Sequence, residues 1–315
     1  MSGQNRSTTW VFLAFLAAVL VTFSLLSEHF MTSANMIKAF QHLSLSALAA
    51  LGLTFVIAVG HSDMSFHYIS SFGALTMSYM ITLGYHISIS IAVGLVGGAF
   101  FGLVNGVLIG RFRLPDMVVT IGLGTAVYGL SYIYSDGRYL YKNFLPSGIM
   151  QLNQGRVMGL PLPIYILAGC SVLCWLLLHH TVVGRRMYAI GSNRTAAEFS
   201  GTRVYRYIIL AFVISALFAS LANTILTSSL GKGDVRSGLN FLMPAWAATY
   251  VGISVFGRVT IYGTLLGAFL ISIMQNGFTL MSVSFFYMDF FIGATLIVSL
   301  VIANRRYFSL AMSRN

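Results

Sequence analysis

Long apolar runs separated by short polar stretches divide the chain into ten segments, near residues 10–27, 40–60, 64–83, 87–110, 116–134, 161–179, 207–230, 241–257, 260–281 and 286–303. A helix needs about 20 apolar residues to cross a hydrocarbon core of about 30 Å, and these runs approach that length. The pattern predicts an all-α, polytopic membrane bundle of about ten transmembrane helices, one domain over residues 1–315 with both termini on the same side. The first run, Trp10 to Leu26, follows Arg6. It is longer than a signal-peptide core and has no small-x-small cleavage pattern after it, so it is read as a retained helix.

Composition supports this reading. The chain is 57% hydrophobic and 8% charged, whereas soluble domains carry about 25% charge. The net charge of +11 comes from basic residues placed at the ends of the runs, where they orient a membrane protein, so no nucleic-acid partner is expected. With the N-terminus inside, twelve of the 18 basic residues face the inner side and six the outer. Cys170 and Cys174 lie one helical turn apart in one run and are read as packing residues rather than as part of a disulfide or metal framework.

Glycine recurs every fourth residue in the fourth run, at 94, 98, 102, 106 and 110. That spacing strips one helix face to backbone and lets a neighbour approach closely. The ninth run carries Gly263 and Gly267, and both runs continue to an Asn-Gly pair, Asn105-Gly106 and Asn276-Gly277, expected near opposite membrane faces. These correspondences point to an inverted repeat relating helices 2–5 to helices 7–10. Asp63, at the break between the second and third runs, is costly in hydrocarbon and needs a partner or water. Asp63, Asn105 and Asn276 are candidate translocation-path residues, with helix capping and interhelical hydrogen bonding as the plainer roles.

No catalytic or nucleotide-binding pattern is present. Lys232 lies in Gly231-Lys232-Gly233-Asp234, which is no phosphate-binding loop. His61, Ser62 and Asp63 are neighbours in sequence and cannot converge as a triad, and His179-His180 at a helix end reads as interfacial, not as a metal pair. The segment 136–160 is a sizeable polar connection on the outer side, either a solvated link or a surface that meets a soluble binding protein.

Residues 184–206 hold five basic residues between two apolar runs and form a water-facing island. Its interior reads as a short helix, with Asn193 as N-cap, or a Thr195–Glu198 capping box instead, and Gly201 as its left-handed closing residue. The sequence Gly184-Arg185-x-x-Tyr188-Ala189-Ile190-Gly191-x-Asn193-x-x-Ala196-Ala197-x-x-Ser200-Gly201 resembles the cytoplasmic coupling loop of permease subunits of bacterial ABC sugar importers, of the ribose, xylose and autoinducer-2 type. The resemblance extends over most of the chain from about residue 40: Gly60, Asp63 and Ser65 match a Gly-Gly-Ile-Asp-Leu-Ser stretch in which His61 and Ser62 depart, and Arg258 stands in a turn that is usually glycine-rich.

What the resemblance implies is a membrane-spanning subunit, not an enzyme, that translocates a monosaccharide-sized polar solute in the bacterial inner membrane. Its expected partners are an ATP-binding subunit docked on the loop, a second permease copy and a periplasmic substrate-binding protein. ATP and Mg would be used by the partner ATPase, with no cofactor bound by this chain. The alternative is a self-sufficient secondary transporter or channel, which should carry more charged groups within its helices.

Overall fold

The computed structural model describes residues 3–303, with side chains from residue 9 onward except that of residue 285. The orientation signals at Arg6, Arg305, Arg306 and Arg314 therefore lie outside the described side chains. Five long helices come first: α1 (Gly3–Leu26), α2 (Ser33–Ala58), α3 (Phe66–Thr82), α4 (Ile87–Gly110) and α5 (Asp116–Ser135). A cap follows, made of α6 (Phe144–Ser147), α7 (Gln151–Gln154) and an antiparallel hairpin, β1 (Arg156–Val157) with β2 (Leu160–Pro161). Next come α8 (Leu162–Trp175), which runs into a π turn over Leu176–His180, and then α9 (Val182–Ser192) and α10 (Arg194–Phe199). The chain closes with α11 (Val204–Leu230), α12 (Leu239–Phe256), α13 (Ile261–Leu280) and α14 (Phe285–Ala303).

All ten expected spans are present as helices, and nine, among the described residues, are long and apolar enough to cross a membrane. The exception, α3, has 17 residues because the non-helical stretch before it takes the place of its first turn. The chain is a multi-pass membrane protein.

Two helices form the centre. Of the residues in their membrane-length windows, 78% are buried in α2 and 67% in α11, against 11% in α1 and in α14. α4 docks on α11 through its glycine ladder: a Cβ at Gly98 would meet Ser220, one at Gly102 would meet Ala216 and the Phe212 carbonyl, and one at Gly106 would meet Ile209. Because the glycines are bare, the two backbones approach to a distance no larger side chain would permit. α13 packs its Gly263 and Gly267 on α12 and meets α2 through side chains, with Thr54 and Thr264 hydroxyls 2.8 Å apart and Ser272 Oγ donating to the Ala39 carbonyl at 3.1 Å. This exchange of partners between the halves fits the inverted repeat.

The ends of α2, α4 and α12 and the starts of α5, α11 and α13 gather at one end of the bundle with α9 and α10. The cap covers the other end, where Ser228 Oγ donates to the Ile149 carbonyl at 2.7 Å and accepts from Asn153 N–H at 3.1 Å. Residues 136–160 are thus a packed cap, with Phe144 and Ile149 buried against Met77 and Ile81.

Two helices begin inside the bundle. Ser215, hydrogen-bonded to Asp63, lies about 16 Å along α11 from its start, so α3 starts well below the loop end. From the cap end, residues 231–238 descend beside α3: Gly233 packs on Ser78 and Gly238 on Ser70 and Ser71, a drop of about 10 Å before α12 begins. Irregular backbone is tolerated at such depth only where protein buries it or a cavity is lined.

Candidate coupling surface and buried polar sites

The island at 184–206 folds as two helices. Thr181 accepts from Gly184 N–H at 3.3 Å and starts α9, a strongly amphipathic element that buries Gly184, Met187 and Ile190. Sequence reasoning saw a single short helix here. The period of Gly184, Met187 and Ile190 was the signal for α9, hidden by the arginines between them. Asn193 closes α9 through its N–H to the Ala189 carbonyl and then caps α10, accepting from Ala196 N–H at 3.0 Å. Of the two capping alternatives, Asn193 is the one used. Glu198 instead accepts from Arg113 Nη2 at 3.2 Å and Arg194 Nε at 3.3 Å. Gly201 closes the helix with φ +79°.

Three contacts fasten this unit to the bundle. A Cβ at Gly184 would overlap the Leu178 carbonyl, and one at Gly191 would overlap the Ala58 carbonyl at the end of α2. Tyr188 Oη donates to the Val259 carbonyl at 2.9 Å, with the Arg258 guanidinium 5.8 Å from the ring centre. Burial pushes the Tyr188 phenol up to about 12, so it stays a neutral donor. His179 Nε2 accepts from Ile261 N–H at 3.3 Å, next to the same turn. Arg258, a departure from the expected glycine-rich turn, therefore packs on α9.

The outer side of the unit differs from expectation. Ala197 is 5% exposed and belongs to the chain's own core. Arg185, Ala189, Gly191, Asn193, Ala196 and Gly201 are exposed, and Phe199, at the end of α10, is 89% exposed.

Asp63 and Asn105 come together and Asn276 does not. Asp63, 1% exposed, accepts through Oδ1 from Ser65 Oγ at 2.6 Å, Ser65 N–H at 2.8 Å and Phe66 N–H at 3.2 Å, and through Oδ2 from Ser215 Oγ at 3.0 Å. It caps α3. Asn105 Nδ2 donates to Ser65 Oγ at 2.6 Å. The departures His61 and Ser62 both bind Asp116, whose Oδ2 accepts from Ser62 N–H at 2.8 Å and lies 3.2 Å from His61 Nδ1. Asn276, near the opposite end, exchanges amide hydrogen bonds with Asn35 at 2.8 and 3.0 Å. Sequence reasoning named no partner for Asn276, because Asn35 is 241 positions away.

The class this architecture defines is a polytopic membrane bundle with broken helices and an amphipathic unit docked at one end. Residues 35–300 match the family model described as "Branched-chain amino acid transport system / permease component", and the chain belongs to that family of transport components, not enzymes. Among curated relatives it is 31% identical to the ribose import permease protein RbsC of Bacillus subtilis (strain 168), over 69% of this chain and 68% of that protein. It is 31% identical to the L-arabinose ABC transporter permease protein AraH of Azospirillum brasilense, over 69% of this chain and 64% of that protein. It is 32% identical to the autoinducer 2 import system permease protein LsrD of Yersinia enterocolitica, over 61% and 60% of the two chains.

Proposed function

We propose that this chain is the membrane-spanning subunit of an ATP-driven importer in a bacterial inner membrane, moving a monosaccharide-sized polar solute delivered by a periplasmic binding protein. The loop end faces the cytoplasm, both termini lie there, and a second permease copy completes the pore. Relatives named for ribose and arabinose support a sugar over the amino acids of the family description. ATP and Mg act in the ATPase subunit.

The observation that carries the docking assignment is Phe199. α10 is held on its own chain by Ala197, Arg113 and Arg194, yet it presents Phe199 almost fully exposed beside Ala196. An aromatic ring held out on a fixed short helix has the form of an interface anchor, the residue type that dominates hot spots. Its insertion in a cleft of the ATPase would couple that subunit's movement through α9 to the ends of α2 and α12.

Phe199→Glu should abolish ATPase-subunit pull-down and solute uptake while leaving membrane abundance unchanged, since the side chain touches little of its own chain. Arg185→Ala should change both much less, because a rim charge contributes little to affinity. Ala197 is unsuitable for this test, because a charge there disrupts the permease's own packing. Wild-type pull-down and uptake by Phe199→Glu at matched levels would remove the assignment.

A further inference from the structure

On the half-exposed faces of α3 and α5, ring contacts run from the cap end into the bundle. Tyr132 and Tyr128 have ring centres 5.0 Å apart, Tyr128 and Tyr68 4.8 Å, and Tyr68 and His67 4.0 Å. At the top, Arg236 on the 231–238 descent donates from Nε to Tyr132 Oη at 3.0 Å, and Tyr128 Oη donates to the same oxygen at 3.4 Å. At the bottom is His67 in the first turn of α3, 4% exposed, whose Nδ1 has no hydrogen-bond partner among the described residues. The surface beside the series is open: a Cβ at Gly122 or Gly129 would meet nothing within 4 Å, and Thr125 is exposed.

We propose that these residues form a binding track for a neutral polyhydroxylated ring, the path by which solute passes from the cap end to mid-membrane. The proposal rests on the importer reading above and names the residues that touch solute. Each tyrosine offers an apolar face for the C–H side of a sugar ring and a hydroxyl rim for its oxygens. Repeated rungs let one contact form as another breaks, so the solute is never held tightly. The charge pattern selects a neutral solute. Arg236 disfavours a cation at the mouth, and Asp234 has its Oδ1 taken by Arg236 N–H at 2.9 Å. Below the mouth the tyrosine rungs carry no charge to pair with an anion, and an unpaired charge at that depth is expensive.

The test uses the full complex in proteoliposomes, with ATP inside and the binding protein and radiolabelled ribose, arabinose or leucine outside. Tyr128→Ala and Tyr68→Ala should lower sugar uptake at least tenfold, while ATPase-subunit pull-down and binding-protein-stimulated hydrolysis stay at wild-type levels. Tyr128→Phe and Tyr68→Phe keep the ring and should retain uptake within about threefold. Thr125→Cys guards against misfolding of those variants: in the otherwise wild-type complex it should react with a small polar thiol reagent and be protected by transported sugar. Wild-type uptake by both alanine variants, phenylalanine variants as impaired as alanine, or unprotected Thr125→Cys would overturn the track. A wild-type complex that takes up leucine but no sugar would overturn its solute class. A wild-type chain that recruits no ATPase and transports nothing would instead remove the importer reading.

Discussion

Residues 59–65 between α2 and α3, and residues 231–238 between α11 and α12, both carry irregular backbone into the depth of the bundle, from opposite ends. The first is secured by two carboxylates: Asp116 holds Ser62 N–H and His61, and deeper in, Asp63 gathers two backbone N–H groups and two hydroxyls, with Asn105 bound to one of the same serines. The second has its one carboxylate, Asp234, turned to its own backbone, where Oδ1 accepts from Arg236 N–H at 2.9 Å, and is held at depth by serine and glycine. Gly238 N–H donates to Ser71 Oγ at 2.9 Å, and Ser70 and Ser71 donate to the His67 carbonyl at 2.7 and 3.3 Å. Beside it, Asn223 Oδ1 and His67 Nδ1 have no protein partner among the described residues. Both breaks use serine, but only the first has at its depth a buried acid side chain that collects four donors. A carboxylate with four donors fixes its surroundings, whereas serines and bare glycines hold by close approach and leave polar atoms for other partners.

The sharpest way to break this comparison is at Gly238. Added side-chain atoms there meet the His67 carbonyl and the hydroxyls of Ser70 and Ser71. The carbonyl belongs to helix backbone and cannot rotate away, so Gly238→Leu should exceed the about 1–3 kcal/mol of ordinary overpacking. The yield of monodisperse protein after detergent extraction should fall at least about tenfold. Near-normal yield would show that the close approach is not what secures this break.

Asp63 tests the other side. Asp63→Ala orphans the N–H groups of Ser65 and Phe66 in a buried site, at about 1–3 kcal/mol each, so about 2–6 kcal/mol is the expected loss. Asp63→Asn keeps the acceptor at the Oδ1 position, and Ser215 can turn its hydroxyl to accept from the new amide. Its cost should be near 1 kcal/mol. Heating extracted protein and following loss of monodispersity should order the three as wild type, asparagine, alanine. Equal loss in both variants would mean that charge, rather than hydrogen-bond acceptance, holds the inner break.

The two breaks also differ in how visible they were in the sequence. Asp63 announced the inner one, since a lone acid between two apolar runs demands an explanation, and its match to a family motif drew attention to it. The descent from the cap end is written in Gly231, Gly233, Ser237 and Gly238, which look like any polar connection. What fixes its depth is packing on Ser70, Ser71 and Ser78 in a helix more than 150 residues earlier. The ten spans and the Asn193 and Gly201 caps were legible because each depends on local periodicity or a local φ. The inward turn of Ala197, the second helix α9 and the Asn35–Asn276 pair were not, because each depends on a surface supplied by another part of the chain.

The smallest effect belongs to the Asn-Gly pairs, which look alike in sequence and differ in setting. Asn105 is fully buried, its Nδ2 on the Ser65 hydroxyl that itself binds Asp63, and its Oδ1 without a partner among the described residues. Removing it takes one donor from a network that Asp63 still holds, at about 1 kcal/mol. Asn276 is half-buried, and its amide is exchanged with that of Asn35, which also donates to the Phe30 carbonyl at 2.8 Å. An interhelical amide pair in a membrane protein contributes on average about 0.6 kcal/mol, since separated partners find others. Asn276→Ala should therefore cost less than Asn105→Ala, and pairing it with Asn35→Ala should add little, because both remove the same exchange. The same heating assay on the four proteins of that double-mutant cycle checks this. Strictly additive losses from Asn35→Ala and Asn276→Ala would mean that each amide acts through other contacts, leaving the similarity of the two Asn-Gly pairs without a shared structural role.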